Sequence, residues 1–327
     1  MIWNGVTAAG AGLLIAATVA TAQQPLPGFD KRIPPQTGYR VYLLVDMEGM
    51  GSAVKSQEVI AGNEGPAYRE RTGPDYWAHY REMLTEETNA AIRGARAAGA
   101  GAFVVNEGHG GNRFANLLPW ALDQEAILIR GYPRPMVMST GIDSTFGTMM
   151  MLAMHASWGK PGVMSHNYAF ADFRVNGRFL NEVGINALVA GEQGVSVSLV
   201  SGDDELMKEV REILGDRVVM VTVKTALGGA AAVTYSPTAV RRMLEDGARE
   251  AVRRARAGEV KPFTLSRPYR VEFTLRPSYP DAMVVEVDSL APAWGVEKTG
   301  PRTYRFTTSD ARRIAYLLDA IELVVLP

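Results

Sequence analysis

The sequence of 327 residues contains no cysteine and only four histidines. The absence of cysteine excludes disulfide bonds, thiolate metal ligands, a cysteine nucleophile and the lipid-bearing cysteine of a lipoprotein. No basic run occurs, and 34 lysines and arginines balance 35 aspartates and glutamates. Nucleic acid is therefore not an expected partner, because phosphate binding requires a positive surface. The phosphate-binding motif of nucleotide hydrolases, H-E-x-x-H and G-x-S-x-G are also absent.

The N-terminus is interpreted as an export signal. Residues 6–19 are apolar and small, and Ala20-Thr21-Ala22 has the small-x-small form of a signal-peptidase site. An uncleaved membrane anchor is the alternative, because signal peptides usually have a lysine or arginine before the apolar run and this sequence has none. The apolar run of residues 6–19 is, however, shorter than the roughly 20 residues that a membrane span needs. We therefore predict a signal peptide over residues 1–22, export to the periplasm or the cell exterior, and no stable membrane association after cleavage.

The remaining chain divides into three predicted segments. Residues 23–38, rich in proline and glutamine, are predicted to form a linker. Apolar strands and amphipathic helices alternate over residues 39–265, which predicts an α/β metal-binding catalytic domain with a mostly parallel sheet flanked by helices. Residues 266–327 are predicted to form a smaller C-terminal α+β subdomain with three strands, one of them at Met283–Val287, and a terminal helix.

Polar side chains follow several of the predicted strands. Asp46 and Glu48 end the apolar run that begins at Val41, His109 lies in a glycine-rich loop after the next strand, and His155 ends the run at 149–154. Ligands bind at the carboxyl ends of strands in open α/β sheets. Taken singly, each of these residues is compatible with a turn cap, a solvated loop residue or a buried core histidine.

Two further residues complete the candidate site. Glu182 begins a predicted helix, where the helix dipole alone favours a carboxylate, and His166 follows a short loop after His155. Three carboxylates and two imidazoles suit Zn²⁺ or Mn²⁺, and five ligands are enough for two ions that share a carboxylate. A further histidine that does not bind metal could act as base or nucleophile. His79 lies within a predicted amphipathic helix and is assigned no function.

Several short motifs occur in a recognisable order. They are Val45-Asp-Met-Glu-Gly49, Asn106-Glu-Gly-His-Gly110, Arg130-Gly131, His155-Ala156, Pro161-Gly-Val-Met-Ser-His166, Asn176-Gly177, Glu182-x-Gly-Ile-Asn-Ala187 and Val200-Ser-Gly-Asp-Asp204. In order and spacing the chain resembles the DppA-type zinc D-aminopeptidases, from about residue 39 to the C-terminus.

The resemblance implies a role for each candidate residue. It implies that two zinc ions are held by Asp46, Glu48, His109, His155 and Glu182, and that His166 is the catalytic nucleophile or base. It also implies release of N-terminal D-amino acids from short peptides and a ring-like homo-oligomer, with a decameric ring as one form. Glu107 departs from the pattern, because the family usually has aspartate at this place, two residues before the loop histidine.

The sequence therefore predicts an exported dinuclear zinc aminopeptidase that hydrolyses short peptides with N-terminal D-amino acids of the D-alanine type. Manganese is the alternative metal. Two other functions remain open on the same residues. One is a different metal-dependent amidase or phosphoesterase, and the other is an exported peptide-binding module with a vestigial metal site.

Overall fold

A computed structural model describes residues 33–60 and 76–325 of the chain. The predicted signal peptide and the first part of the predicted linker lie outside these residues, and residues 33–38 contain no helix or strand. Among the described helices, none combines the length and apolar character needed to cross a membrane.

The described residues form two sheets and six helices. The strands are β1 (Tyr39–Val45), β2 (Ala100–Glu107), β3 (Ala126–Ile129), β4 (Thr148–Leu152), β5 (Phe170–Val175), β6 (Arg178–Phe179), β7 (Val197–Asp203), β8 (Val219–Gly228), β9 (Ala231–Thr234), β10 (Tyr269–Leu275), β11 (Glu297–Lys298) and β12 (Thr303–Thr308). The helices are α1 (Tyr76–Ala97), α2 (Glu182–Glu192), α3 (Asp204–Leu214), α4 (Pro237–Arg256), α5 (Asp281–Leu290) and α6 (Ala311–Val325). Single 3-10 turns occupy Ser56–Glu58, Gly110–Asn112 and Val137–Ser139.

The larger sheet has seven strands in the order β3-β2-β1-β4-β7-β8-β9. All neighbours are parallel except β9, which runs antiparallel to β8 at one edge. From Val41 onwards the central strand β1 is apolar, as is typical of a strand that is covered on both faces. Tyr42 and Leu44 pack in one core, while Val41, Leu43 and Val45 pack in the other. The predicted mostly parallel α/β fold flanked by helices is confirmed.

Helices α1 and α4 cover one face of this sheet and pack against each other. Gly94 lies at their crossing, where an added Cβ would stand 1.9 Å from the carbonyl oxygen of Glu245. A side chain at this position would therefore push the two helices apart. Helix α4 begins as its sequence indicates, with Pro237 in the first turn and the Ser236 hydroxyl accepting the Ala239 N–H at 3.3 Å.

The smaller sheet has five antiparallel strands in the order β11-β12-β10-β5-β6. Strands β5 and β6 come from residues 170–179, within the predicted catalytic segment, so the sheet joins that segment to the C-terminal one. The domain boundary at residue 265 stays a prediction. Helix α6 packs against α2, and the N–H of Ala311 at the start of α6 donates to Glu192 at the end of α2 at 2.7 Å.

One predicted strand is wrong. Residues Met283–Val287 lie within helix α5, not in a strand. The segment is rich in valine, which favours strands, but Val284 and Val287 are three residues apart and both are buried, whereas Val285 is 60% exposed. This spacing places the two buried valines on one face of a helix.

Candidate metal centre

Three neighbouring parallel strands deliver the candidate residues to one edge of the larger sheet. Val45, the last residue of β1, lies opposite Glu107 on β2 and Leu152 on β4. Asp46, Glu48, His109 and His155 follow the ends of these strands by one to three residues. Their side chains therefore converge at the carboxyl edge, where open α/β sheets bind ligands.

Gly49 allows the segment after β1 to pass close to the segment before His155. Its N–H donates to the carbonyl oxygen of Ala153 at 2.7 Å. An added Cβ at Gly49 would lie 1.8 Å from the carbonyl oxygen of Met154. A side chain at this position would separate the two segments, so the glycine of the Val45–Gly49 motif supports the geometry of the centre.

Glu182 reaches the same place from the start of α2, the helix that follows β6. It is the first residue of α2, whose N-cap Asn181 accepts the Gly184 N–H at 3.0 Å. One carboxylate oxygen of Glu182 accepts the Tyr168 N–H at 2.6 Å. The other oxygen lies 3.6 Å from His155 Nε2. The helix start thus fixes the carboxylate beside the histidine.

The five predicted ligands form two groups that share Asp46. In the first group, His109 Nδ1 lies 2.9 Å from Glu48 Oε2 and 3.5 Å from Asp46 Oδ1. In the second, His155 Nε2 lies 3.3 Å from Asp46 Oδ2 and 3.6 Å from Glu182 Oε2. All five side chains are buried. Potential ligand atoms within each group lie within 4.8 Å of one another, so each group has the span of a metal site.

The hydrogen bonds of the imidazoles fit a bound cation. His109 Nε2 donates to the carbonyl oxygen of Val59 at 2.7 Å, and His155 Nδ1 donates to that of Ala156 at 3.0 Å. When the ring is neutral, the opposite nitrogen of each ring carries a lone pair directed at carboxylates, as in metal-bound histidines. In the described structure the buried His155 Nε2 has no hydrogen-bond partner. A bound cation would be held by these nitrogens and the neighbouring carboxylates and would satisfy them.

The electrostatics of the pocket favour positive charge. Burial opposes the charged form of His109, yet the carboxylates of Glu48 and Asp46 raise the pKa of its imidazole to about 10. Burial likewise opposes the charged form of His155, but the carboxylates of Glu182 and Asp46 raise the pKa of its imidazole well above the usual value. Nitrogen and carboxylate donors in a pocket of this charge are the combination that Zn²⁺ prefers.

His166 differs from the five residues in exposure. Its side chain is 28% exposed, and its Nε2 lies 3.9 Å from Glu48 Oε1 and 4.0 Å from Glu182 Oε1. The ring stacks on His155 with 3.8 Å between centroids and 13° between planes. Burial and the charge of His155 lower the pKa of His166. A neutral imidazole open to solvent suits a base or nucleophile, although Glu48, His155 and His166 also form a possible ligand group.

Glu107 acts on the loop of His109 and not on its ring. Its two oxygens accept the N–H groups of Asn116 at 3.1 Å and Leu117 at 2.9 Å. Asn116 Nδ2 in turn donates to the carbonyl oxygen of His109 at 2.7 Å. The extra methylene relative to aspartate therefore reaches the loop backbone, and the imidazole is held by Val59 instead.

Lys224 supports the centre but was not among the residues singled out from the sequence. It lies on β8 and is fully buried. Its Nζ donates to the carbonyl oxygen of Met50 at 3.0 Å and to those of Glu48 and Ala53. It thereby holds the segment that follows the first two ligands. The only sequence signal was a lysine inside an otherwise uncharged, strand-like run.

Glu87 on α1 holds the same segment and makes stability depend on pH. Its Oε1 accepts the Gly51 N–H at 3.1 Å, and burial raises the pKa of its carboxyl from 4.5 to about 7. A folded-state pKa above the unfolded value stabilises the fold at low pH. The contribution is fully present below the unfolded pKa and is lost as the pH rises through the folded one.

We therefore expect the free energy of unfolding of the wild type, relative to Glu87→Gln, to fall by up to about 3 kcal/mol between about pH 4.5 and pH 7.5. Lys224, whose pKa burial lowers to about 8, changes protonation mostly above this range. Urea unfolding at several pH values measures the difference, and Glu82→Gln, at an exposed glutamate of the same helix, is the matched control. Parallel pH curves for wild type and Glu87→Gln would contradict the expectation.

Comparisons with known proteins identify the family of the chain. Residues 39–320 match the model of the M55 peptidase family, described as D-aminopeptidase. A D-aminopeptidase of Bacillus subtilis (strain 168) is 33% identical over 275 residues, which is 83% of this chain and 92% of the relative. A similar solved structure, described as the zinc-dependent D-aminopeptidase DppA from Bacillus subtilis, a self-compartmentalizing protease, has a TM-score of 0.74 and 30% identity. That match covers 88% of this chain and 97% of the other.

The family model spans most of the chain, and the two relatives match it over nearly their whole length. The resemblance inferred from the motifs is confirmed, as is the prediction of an enzyme. This chain belongs to the D-aminopeptidase family of peptidases.

Proposed function

We propose that this chain is an exported aminopeptidase that uses two zinc ions to remove N-terminal D-amino acids, D-alanine in particular, from short peptides. One observation carries the proposal: Asp46 directs one oxygen towards His109 and the other towards His155. A carboxylate placed between two donor groups suits a pair of ions that share a ligand. The zinc-dependent relative supports zinc as the metal.

The five buried residues would hold the metal, with Glu48 and His109 on one side of Asp46 and His155 and Glu182 on the other. Bound zinc supplies Lewis-acid polarisation of a carbonyl and activation of water at neutral pH. The donors also suit Mn²⁺, so metal analysis should cover both elements.

His166 would act either as the general base or as the nucleophile of the reaction. Its Nδ1 donates to the carbonyl oxygen of Met164 at 2.9 Å, which fixes the tautomer and leaves a lone pair on Nε2. That lone pair faces the same space as Glu48 and Glu182. His166 would either take the proton from the attacking water, or attack the scissile carbonyl carbon, so that the peptide C–N bond breaks, the shortened peptide leaves with a protonated amine, and water then releases the amino acid from the imidazole. Stacking on His155 limits the rotation of the ring in either role.

Location and assembly extend the proposal. The apolar N-terminus and Ala20-Thr21-Ala22 support export, to the periplasm or the cell exterior. Peptides derived from the cell wall are rich in D-alanine and would be available there. The structural relative is described as self-compartmentalizing, which supports a homo-oligomer for this chain too.

Hydrolysis of D-alanyl dipeptides by the zinc-loaded protein tests the proposal. We expect turnover of D-alanyl peptides above that of their L-counterparts. His166→Ala should lower kcat by about a hundredfold to ten-thousandfold, the range of one acid–base group, with metal content near that of wild type. His79→Ala is the matched control, because this histidine is exposed on α1.

Three results would redirect the proposal. Loss of zinc in His166→Ala would make His166 a ligand. Activity only on L-peptides, amides or phosphate esters would favour a different metal hydrolase, and peptide binding without turnover at full metal loading would favour a binding module.

A further inference from the structure

Arg276, directly after β10, has donors that the fold does not use. Its backbone N–H donates to the carbonyl oxygen of Ala169 at 3.0 Å, and its guanidinium donates to the Tyr279 hydroxyl. The buried Nε has no hydrogen-bond partner, and no carboxylate of the described residues forms an ion pair with this arginine. Buried N–H groups without an acceptor are rare in native structures, because they have lost the hydrogen bond that water would offer. A bound ligand is a natural acceptor for this one.

Two aromatic rings orient the guanidinium group. Its Cζ lies 4.9 Å from the ring centroid of Tyr279 and 5.6 Å from that of Trp158. A ring that packs on the flat face of a guanidinium leaves the N–H groups at its edge available for hydrogen bonds. Trp158 is 38% exposed, so the arginine lies at a surface that a ligand can reach.

The arginine borders the metal centre through two connections. Its ring partner Trp158 follows the predicted ligand His155 by three residues. Its backbone partner Ala169 follows Tyr168, whose N–H donates to Glu182 at 2.6 Å. Both segments that contact the arginine therefore also carry or hold a residue of the centre.

A carboxyl group on α6 interacts with both the centre and the arginine. Burial and the charge of Glu182 raise the pKa of Glu322 to about 8, whereas the guanidinium of Arg276 acts in the opposite direction. Glu322 is thus within electrostatic range of a metal ligand and of Arg276. This supports the contacts above in placing the arginine beside the centre.

A free dipeptide carries a charge that an arginine beside the centre can bind. Its C-terminal carboxylate belongs to the residue after the scissile carbonyl, and consecutive Cα atoms are about 3.8 Å apart. A group that binds this carboxylate must therefore stand next to the metal ions and not among their ligands. The planar guanidinium matches a carboxylate with two parallel hydrogen bonds, which the single ammonium group of lysine does not.

We propose that Arg276 binds the C-terminal carboxylate of a dipeptide substrate, and that the enzyme therefore favours free dipeptides over dipeptides with a blocked C-terminus. The inference rests on the aminopeptidase function proposed above. Arg276 contributes binding energy and takes no part in the transfer of protons, and the neutral amide of a blocked peptide offers it no charge.

Two ligands that cannot be hydrolysed test this proposal on the zinc-loaded protein. They are D-alanyl-D-alanine with the peptide bond replaced by a methyleneamino group, as the free acid and as the C-terminal amide. Calorimetric titration of the wild type should give a Kd about tenfold to a hundredfold lower for the acid, the range of a hydrogen bond to a charged group. Arg276→Met should lose most of this difference and Arg276→Lys should keep part of it. Arg305→Met, at an arginine 58% exposed on β12, is the matched control and should retain all of it.

Kinetics on D-alanyl-D-alanine separate substrate binding from a disturbed centre. Arg276→Met should raise KM by about tenfold or more and leave kcat within about twofold of wild type, because a contact made equally in the ground state and the transition state changes KM alone. Zinc content should stay that of wild type.

Affinity and turnover together decide between the outcomes. Equal affinity of the wild type for the acid and the amide, or binding of neither, would overturn the proposal, whether or not Arg276→Met folds. An undiminished preference for the acid in Arg276→Met, or a fall of kcat without a change of KM, would overturn it too. A wild type that prefers the acid but cleaves no D-peptide would contradict the proposed function and leave the role of Arg276 intact.

Discussion

Replacing Asp46 by alanine should reduce kcat/KM on a D-alanyl peptide by about a thousandfold, because metal catalysis is worth several kcal/mol and each ~1.4 kcal/mol is a factor of ten. Asp46 lies both in the ligand group with Glu48 and His109 and in the ligand group with His155 and Glu182. Its loss therefore weakens both metal positions, whereas loss of Glu182 removes a ligand from one.

Metal content per chain, measured on protein purified without added metal, checks this expectation. Wild type is expected to hold close to two zinc or manganese ions and Asp46→Ala fewer. Asp246→Ala is the control, because its carboxylate is exposed on α4. An Asp46→Ala protein with wild-type metal content would contradict the shared-ligand arrangement. A folded wild type that takes up no metal would contradict the mechanism as a whole.

Replacing Lys224 by methionine should lower the free energy of unfolding by about 3–5 kcal/mol, as for loss of one partner from a buried charged contact. The ammonium group is fully buried and satisfied by the carbonyl oxygens of Glu48, Met50 and Ala53. Methionine has a similar volume but donates no hydrogen bond. Three buried carbonyl groups would lose their donor, and the segment carrying Glu48 would loosen.

Metal affinity separates this effect from a general loss of stability. We expect Lys224→Met to release zinc to a competing chelator at lower chelator concentration than wild type. Val287→Ala is a suitable comparison, because Val287 is buried on α5 and its truncation lowers stability away from the centre. Lys208→Met, at an exposed lysine, should match wild type in both measurements. Unchanged zinc affinity in a destabilised Lys224→Met would make the lysine purely structural.

The parts of the centre that lie next to strands were predictable from the sequence. An apolar run followed by Asp46 and Glu48, and another followed by His155, place polar groups at strand ends, and parallel strands bring such ends together. The expectation that Glu182 lies in the first turn of a helix, where the helix dipole favours a carboxylate, was also correct. It is a first-turn carboxylate of α2, and the same position carries it into the centre.

The supporting contacts were not predictable, because they join segments far apart in the chain. Asp203 caps α3 through one oxygen, as its place before an amphipathic helix indicates. Its other oxygen accepts the Val163 N–H at 2.7 Å, a contact that no local pattern contains. Lys224 is buried only because the segment after Glu48 folds over it. The pattern of hydrophobic residues indicates which face of a helix or strand is buried, but it does not indicate which loop covers a given strand.

The distribution of ligands along the chain has a consequence for biogenesis. Asp46 comes from the first strand of the larger sheet and Glu182 from a helix that follows the first two strands of the smaller one. A chain synthesised or translocated only as far as His166 therefore carries one complete ligand group and an incomplete second one, because Glu182 is still missing. A polypeptide threaded unfolded through a membrane would acquire its metal last, from the zinc supply of its destination. The metal ions would then stabilise a chain that has already folded and would not direct its folding.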